Sequence, residues 1–179
     1  MGGVVYTAPT PLVDPERGCE HCSSMNHSQP CVYWAGPLFT DAERAWNLTQ
    51  AQRLRQELPQ VELLLPQEFC APHEAAHTND HGAGRVGKPD FAAIFRDCRS
   101  HLERAQLVIA VLDGADADSG TAWEMGYAHA RGITIIGLRT DWRPAEDGGG
   151  NAMLTRSCAA VCPDLEEVCV RVRTWLRLG

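Results

Sequence analysis

Four carboxylates, Asp113, Asp116, Asp118 and Glu124, fall within a stretch of twelve residues. They follow the apolar run Leu107-Val108-Ile109-Ala110-Val111-Leu112 and lead into a helical pattern. Between Asp118 and Glu124 stands Ser119-Gly120-Thr121-Ala122-Trp123, a glycine-containing turn into that helix. This spacing puts Glu124 on the first turns, able to point back into a crevice, where the helix dipole favours an ionised carboxylate. An ionised carboxylate in a closed crevice can attack an anomeric carbon. A second carboxyl group with a raised pKa can protonate the leaving group. Acids at such a place also serve simply to cap a helix or to face solvent, and Asp116 reads best that way. For Glu124, flanked by Trp123 and Met125, the residue types leave both uses open.

Other residues bear on binding. Gly36-Pro37 and the turn at 118–121 each follow a strand and expose backbone N–H groups to an oxygen-rich ligand. Neither is a P-loop or a complete dinucleotide fingerprint. Tyr33, Trp34, Phe39, Trp46, Trp123 and Tyr127 lie near the same crevice, where a base can stack; Trp46, at helical spacing, reads as core. Cys19, Cys22, His27 and Cys31 have the spacing C-x2-C-x4-H-x3-C. That can close a tetrahedral zinc site, but it is one residue short of a zinc knuckle. Free thiols in a loose tail are the favoured reading, with Cys31 alternatively the first strand residue, and no metal or other cofactor is expected. His73, His77 and His81 recur every four residues, in a stretch whose Gly, Asn and Asp content argues against a regular helix. A solvated lid is favoured there, with Arg85 and Lys88 able to meet a 5'-phosphate.

The elements that must position these groups follow from periodicity. Apolar runs at 32–35, 61–65, 107–112 and 133–138 read as buried strands, each closed by a Gly, Pro or Asp turn or loop. Helical spacing marks residues 42–58, with Thr40 or Asp41 as cap, and then 90–104, 121–130 and 162–178. Residues 69–89 form a long loop of the kind that is usually functional, and 143–151 a Gly-rich one. Strands alternating with helices predict an α/β fold, a parallel sheet covered on both faces. Its ligand crevice lies beyond the strand carboxyl ends, where Gly36, Gln67 and Asp113 gather.

The chain has 179 residues, 44% of them hydrophobic, enough for one domain at 31–179 behind a Cys-containing N-terminal extension at 1–30. No apolar run reaches 18 residues, so no membrane partner is expected. A net charge of -7 argues against a nucleic acid polymer and leaves a small neutral or cationic ligand. The N-terminal residues lack a basic region followed by an apolar stretch, so a cytoplasmic setting is expected. The eight cysteines then read as reduced thiols or ligands, with Cys98, Cys158, Cys162 and Cys169 as small buried hydrophobes.

Taken together, the motifs resemble the nucleoside 2-deoxyribosyltransferase family. Val32-Tyr33-Trp34-Ala35-Gly36-Pro37-Leu38-Phe39-Thr40-Asp41 is similar to its first strand and turn, and Leu64-Leu65-Pro66-Gln67 to its second. Arg96-Asp97 and residues 105–114 are similar to its next helix and strand. Asp118-Ser119-Gly120-Thr121-Ala122-Trp123-Glu124-Met125-Gly126-Tyr127-Ala128 is the most specific match, and residues 132–141 continue it. The order is intact over about residues 31–155. The resemblance implies a flavodoxin-like three-layer sandwich and a two-step base exchange. Glu124 would attack C1' of a 2'-deoxynucleoside, and a free nucleobase would then displace the deoxyribosyl ester with retention. It implies Asp118 as the acid on the sugar hydroxyls and Asp97 as the acid that handles the base proton. Tyr33, Gly36 and Phe39 would line the pocket, Gln67 bind the base and Tyr127 orient the glutamate. Asn151 would complete the site of a neighbouring subunit near the 5'-hydroxyl, making the protein a homo-oligomer. An N-glycoside hydrolase of deoxynucleosides or their 5'-monophosphates would share Glu124, and a non-catalytic nucleotide-sensing module would share the fold. The first 30 residues and the loop at 69–89 depart from the family pattern.

Overall fold

Five short segments pair in parallel in the computed structural model, which describes residues 29–74, 89–141, 143 and 150–178. They are β1 (Cys31–Ala35), β2 (Glu62–Leu64), β3 (Leu107–Val111), β4 (Thr134–Leu138) and β5 (Ala160–Cys162), in the order β2-β1-β3-β4-β5. Every residue of β1 and β3 is buried, as expected of strands covered on both faces, and this is why they read as continuous apolar runs. Val32 and Trp34 point to a layer holding α1 (Asp41–Glu57) and α7 (Leu165–Leu178). Tyr33 and Ala35 point to the opposite layer, holding α4 (Phe91–Arg104) and α5 (Ser119–Ala130). The result is an α/β three-layer arrangement with the flavodoxin-like strand order. Its switch point lies between β1 and β3, where such sheets hold their ligands.

Local signals explain the main boundaries. Thr40 caps α1 in a reciprocal capping box with Glu43. Asp90 caps α4 by accepting from the Ala93 N–H. Asn47, 2% exposed, ties α1 to the end of β1: its Oδ1 accepts from Trp34 Nε1 at 3.1 Å and its Nδ2 donates to the Pro37 carbonyl at 2.8 Å. Asn47→Ala would leave a buried indole N–H and a carbonyl unpaired. It is expected to cost about 1–3 kcal/mol, read as a lower urea midpoint at unchanged slope.

The structure corrects several expectations. A fifth strand lies at Ala160–Cys162, so the last helix starts at Leu165 rather than at residue 162. This strand has three residues at the sheet edge, and its Val161 is 40% exposed, too little apolar pattern to announce itself. The stretch predicted as a loop from residue 69 instead begins within two one-turn helices, α2 (Pro66–Phe69) and α3 (Ala71–Glu74), followed by α4 after residues outside the described set. A further short helix, α6 (Ala152–Thr155), follows the Gly-rich stretch. Cys162 and Cys169 are buried as expected, whereas Cys98 and Cys158 are half-buried. Cys31 is the first residue of β1, the alternative the sequence offered for it, and its thiol donates to Glu62 Oε2 at 3.1 Å. Cys19, Cys22 and His27 lie outside the described residues, as do His77, His81, Arg85 and Lys88. Among the described residues, no three His, Cys, Asp or Glu are grouped to hold a metal, and no helix is long and apolar enough to cross a membrane.

Candidate active site

Asp118 starts α5. Its Oδ2 accepts from Thr121 N at 2.9 Å, with the Thr121 hydroxyl at 3.4 Å, satisfying an N–H that the helix leaves open. Thr121, Met125 and Ala128 then turn toward the sheet, and Glu124 sits beside that buried face in the second turn. Its Oε1 accepts a 2.6 Å hydrogen bond from the hydroxyl of Tyr33, at the centre of β1 and 91 residues earlier in the chain. The junction of a buried strand and a helix N-terminal half thus places a phenol on a carboxylate at the switch point of the sheet.

Burial pushes the Glu124 carboxyl up to about 8; the Tyr33 hydrogen bond opposes this, while Cys98 and Asp118 add to it. The expectation that the helix dipole would keep Glu124 ionised is therefore overturned. The dipole fades within the first turn, and Glu124 stands one turn deeper, where loss of water dominates. Burial and the adjacent Glu124 drive Tyr33 far above the ordinary phenol value, so its hydroxyl remains a donor.

Asp97, half-buried on α4, has its Oδ2 2.8 Å from His73 Nε2. His73 is thus part of α3 and paired, not a solvated lid residue. Gln67 is buried; its Nε2 donates to the Arg44 carbonyl at 3.1 Å, and its Oε1 is a buried acceptor with no partner among the described residues. Such an atom is costly unless a ligand or water meets it. Gly36 follows β1 so closely against β3 that a Cβ there would lie 3.0 Å from Val111 Cγ2.

Other expected positions are placed differently. Tyr127 is committed elsewhere: its hydroxyl donates to Glu103 Oε1 at 2.7 Å and its ring stacks on Trp123, so the phenol on Glu124 is that of Tyr33. Phe39 is 75% exposed just before α1, so within one copy its ring lines no enclosed pocket. Asp113 lies at the end of β3, but its carboxylate is consumed by Thr140 N, Thr140 Oγ1 and Asp141 N, joining β3 to the end of β4. Asp116 is exposed and accepts from its neighbour Ala117 N, the plain role expected of it. Asn151 is exposed at the start of α6 and caps it through Met153 N at 2.9 Å. Two cysteines were missed as site neighbours: Cys98, which lies beside the Tyr33 hydroxyl, and Cys70, whose Sγ is 3.6 Å from Cys98 Sγ. Only the fold reveals that partnership.

The arrangement offers a half-buried carboxylate held by a phenol, two further acids on adjoining helices, and an amide acceptor unpaired among the described residues. The nucleoside 2-deoxyribosyltransferase family model matches residues 32–170. An uncharacterized protein of Ureaplasma parvum is 34% identical over 122 residues, which span 63% of this chain and 71% of that protein. A conserved protein from Enterococcus faecalis superposes with a TM-score of 0.67 at 25% identity, covering 82% of this chain and 99% of its own. The 2-deoxyribosyltransferase of Bacillus psychrosaccharolyticus gives 0.58 at 22% identity, with coverages of 77% and 89%. The 2-deoxyribosyltransferase of Leishmania mexicana gives 0.56 at 22%, with 79% and 95%. These last two likenesses concern the fold.

Proposed function

This chain belongs to the nucleoside 2-deoxyribosyltransferase family, and on that premise we propose that it exchanges the base of a 2'-deoxyribonucleoside through a covalent deoxyribosyl–Glu124 intermediate. The observation that carries this reading is the Tyr33–Glu124 contact at 2.6 Å at the switch point of the sheet. Tyr33 occupies Oε1 and leaves Oε2 to attack C1' from the face opposite the base. The C1'–N bond breaks as the C1'–O bond forms, and the departing base takes a proton delivered through Asp97. A second base then attacks C1', the Glu124 carboxylate leaves, and two inversions give net retention.

Asp118 has a double task in this scheme. Its Oδ2 holds the helix start, and Oδ1, which takes no hydrogen bond among the described residues, meets the sugar hydroxyl. Asp118→Asn keeps the cap and is expected to keep its melting temperature while losing turnover about 10-fold or more. Asp118→Ala is expected to lose the same turnover and a further ~0.5–2 kcal/mol of stability. Equal stability of the two variants would contradict the capping role. Gln67 Oε1 would accept from the base, and Gly36 would let the sugar approach the backbone. Phe39 and Asn151, exposed within one copy, suit a homo-oligomer in which Asn151 reaches the 5'-hydroxyl of a neighbour's substrate. We assign the activity to residues 31–179, with 1–30 as an extension. Burial of the ester linkage keeps water from it and favours an acceptor base.

Incubation with deoxyinosine and free adenine tests the assignment, with products separated by chromatography. Deoxyadenosine is expected. Hypoxanthine without deoxyadenosine would replace transfer by hydrolysis. No turnover, repeated with pyrimidine donors and deoxynucleoside monophosphates, would leave a non-catalytic nucleotide-sensing module.

A further inference from the structure

Three side-chain pairs strap the segment after β2 onto α4. Phe69 stacks on His101 with centroids 3.9 Å apart and planes within 5°. Cys70 Sγ lies 3.6 Å from Cys98 Sγ, and His73 Nε2 lies 2.8 Å from Asp97 Oδ2. The middle pair is continuous with the candidate nucleophile: Cys98 lies beside the Tyr33 hydroxyl, which donates to Glu124 Oε1. Cys70, Cys98, Tyr33 and Glu124 therefore form one chain of contacts from the strap to the reacting carboxylate.

We propose that Cys70 and Cys98 are a thiol-oxidation site, closed to a disulfide by peroxide, and that the closed form disables the Tyr33–Glu124 pair. Both are free thiols in this structure, already near the separation from which a bond of about 2.05 Å can form by a shift of roughly 1.5 Å. Cys70 is at the C-terminal cap of the one-turn α2, a short element that can make that shift, while Cys98 is anchored in the middle of α4. Cys98 is half-buried and reachable, whereas Cys70 is 2% exposed. The hydrogen bond from Cys70 holds the Cys98 thiol below its ordinary value despite burial and the nearby Asp97 and Glu74 carboxylates; the same bond and burial push Cys70 up. Cys98, the more exposed of the two, is the sulfur that peroxide reaches first.

The steps balance with hydrogen peroxide as oxidant. The Cys98 thiolate attacks one peroxide oxygen, the O–O bond breaks, and hydroxide leaves as water after taking a proton, giving Cys98 sulfenic acid. The Cys70 sulfur then attacks the Cys98 sulfur, a second water departs, and the disulfide remains. Contraction of the Cys98 sulfur toward Cys70 draws it off the Tyr33 hydroxyl that it lies beside. The phenol then loses the neighbour that fixes it on Glu124.

The consequence for turnover rests on Glu124 acting as the nucleophile; formation of the disulfide does not. The test treats the reduced full-length protein with graded hydrogen peroxide, alkylates the remaining thiols and maps peptides by mass spectrometry. Base exchange is followed in parallel, before and after dithiothreitol. A Cys70–Cys98 cross-linked peptide is expected, with turnover lowered by about tenfold or more, the effect of one weakened hydrogen bond on a barrier. Dithiothreitol should restore it. Cys70→Ser should form no cross-link and should carry a dimedone-reactive sulfenic acid at Cys98. Cys98→Ser should form no cross-link, and its turnover, whatever its basal level, should not fall further on peroxide treatment. Absence of the cross-link, or a cross-link that leaves turnover unchanged, would overturn the proposal. A reduced protein with no turnover would count against the assigned activity, and the peptide map and dimedone label would still decide the oxidation site.

Discussion

Glu124→Ala should lower kcat for base exchange by about 10³-fold or more, since covalent catalysis has no second carboxylate positioned to replace the lost nucleophile. Asp118 is held at the helix start and Asp97 is paired with His73, so neither stands where Tyr33 holds the Glu124 oxygen. Glu124→Gln, which keeps the shape, should be as inactive, and steady-state assays with the two variants check this directly. The Gln variant carries a second signature. The Glu124 carboxyl titrates near 8 when folded against an ordinary 4.5, so between these values the native state binds a proton that the unfolded chain has released. Its contribution to stability is therefore complete below about pH 4.5 and is lost as the pH rises through about 8. Gln has no charge to bury at any pH. Melting temperatures measured from pH 5 to 9 should fall for the parent relative to Glu124→Gln, and parallel curves would show that Glu124 is solvated in the folded protein.

Tyr33→Phe should move the acid limb of the kcat/KM profile to higher pH and lower turnover at pH 7 by about 10–100-fold, the range of a hydrogen bond to a charged group. The sign follows from the geometry. The Tyr33 hydroxyl favours the ionised form of Glu124, and burial favours the neutral form. Without the hydroxyl, burial acts unopposed and the reactive carboxylate appears only at more alkaline pH. Because kcat/KM reports the free enzyme, the parent limb should lie near pH 8 and that of the variant above it. Recovery of part of the lost activity at alkaline pH would separate this electrostatic role from simple misfolding. An unshifted limb would mean that Tyr33 has no hold on the reacting carboxylate.

The layering was legible because β1 and β3 are buried on both faces, and strands of that kind write themselves as unbroken apolar runs. Helix starts were legible for a similar reason: Thr40 and Asp118 each do a local job that spacing discloses. β5 was not legible, because three edge residues carry almost no pattern. Glu124 stood out by motif, yet its environment did not. The dipole is a property of the helix and can be read from sequence, whereas burial is a property of the packed layers and cannot. The same limit explains the exchange of roles between Tyr127 and Tyr33. Tyr127 is close to Glu124 along α5, but stacking on Trp123 turns its hydroxyl toward Glu103 on α4. Tyr33 reaches Glu124 across 91 residues because β1 happens to lie beneath α5. His73 with Asp97, and Cys70 with Cys98, are pairings of the same long-range kind.

The most direct test of the central claim is to trap the intermediate. The protein is mixed with deoxyinosine in the absence of an acceptor base, quenched in acid within the first turnovers, and analysed by intact mass and peptide mapping. A covalent increment of one deoxyribosyl group on the peptide carrying Glu124, removed when adenine is added before the quench with formation of deoxyadenosine, is the predicted result. Turnover without any adduct, or an adduct on another residue, would contradict Glu124 as the nucleophile.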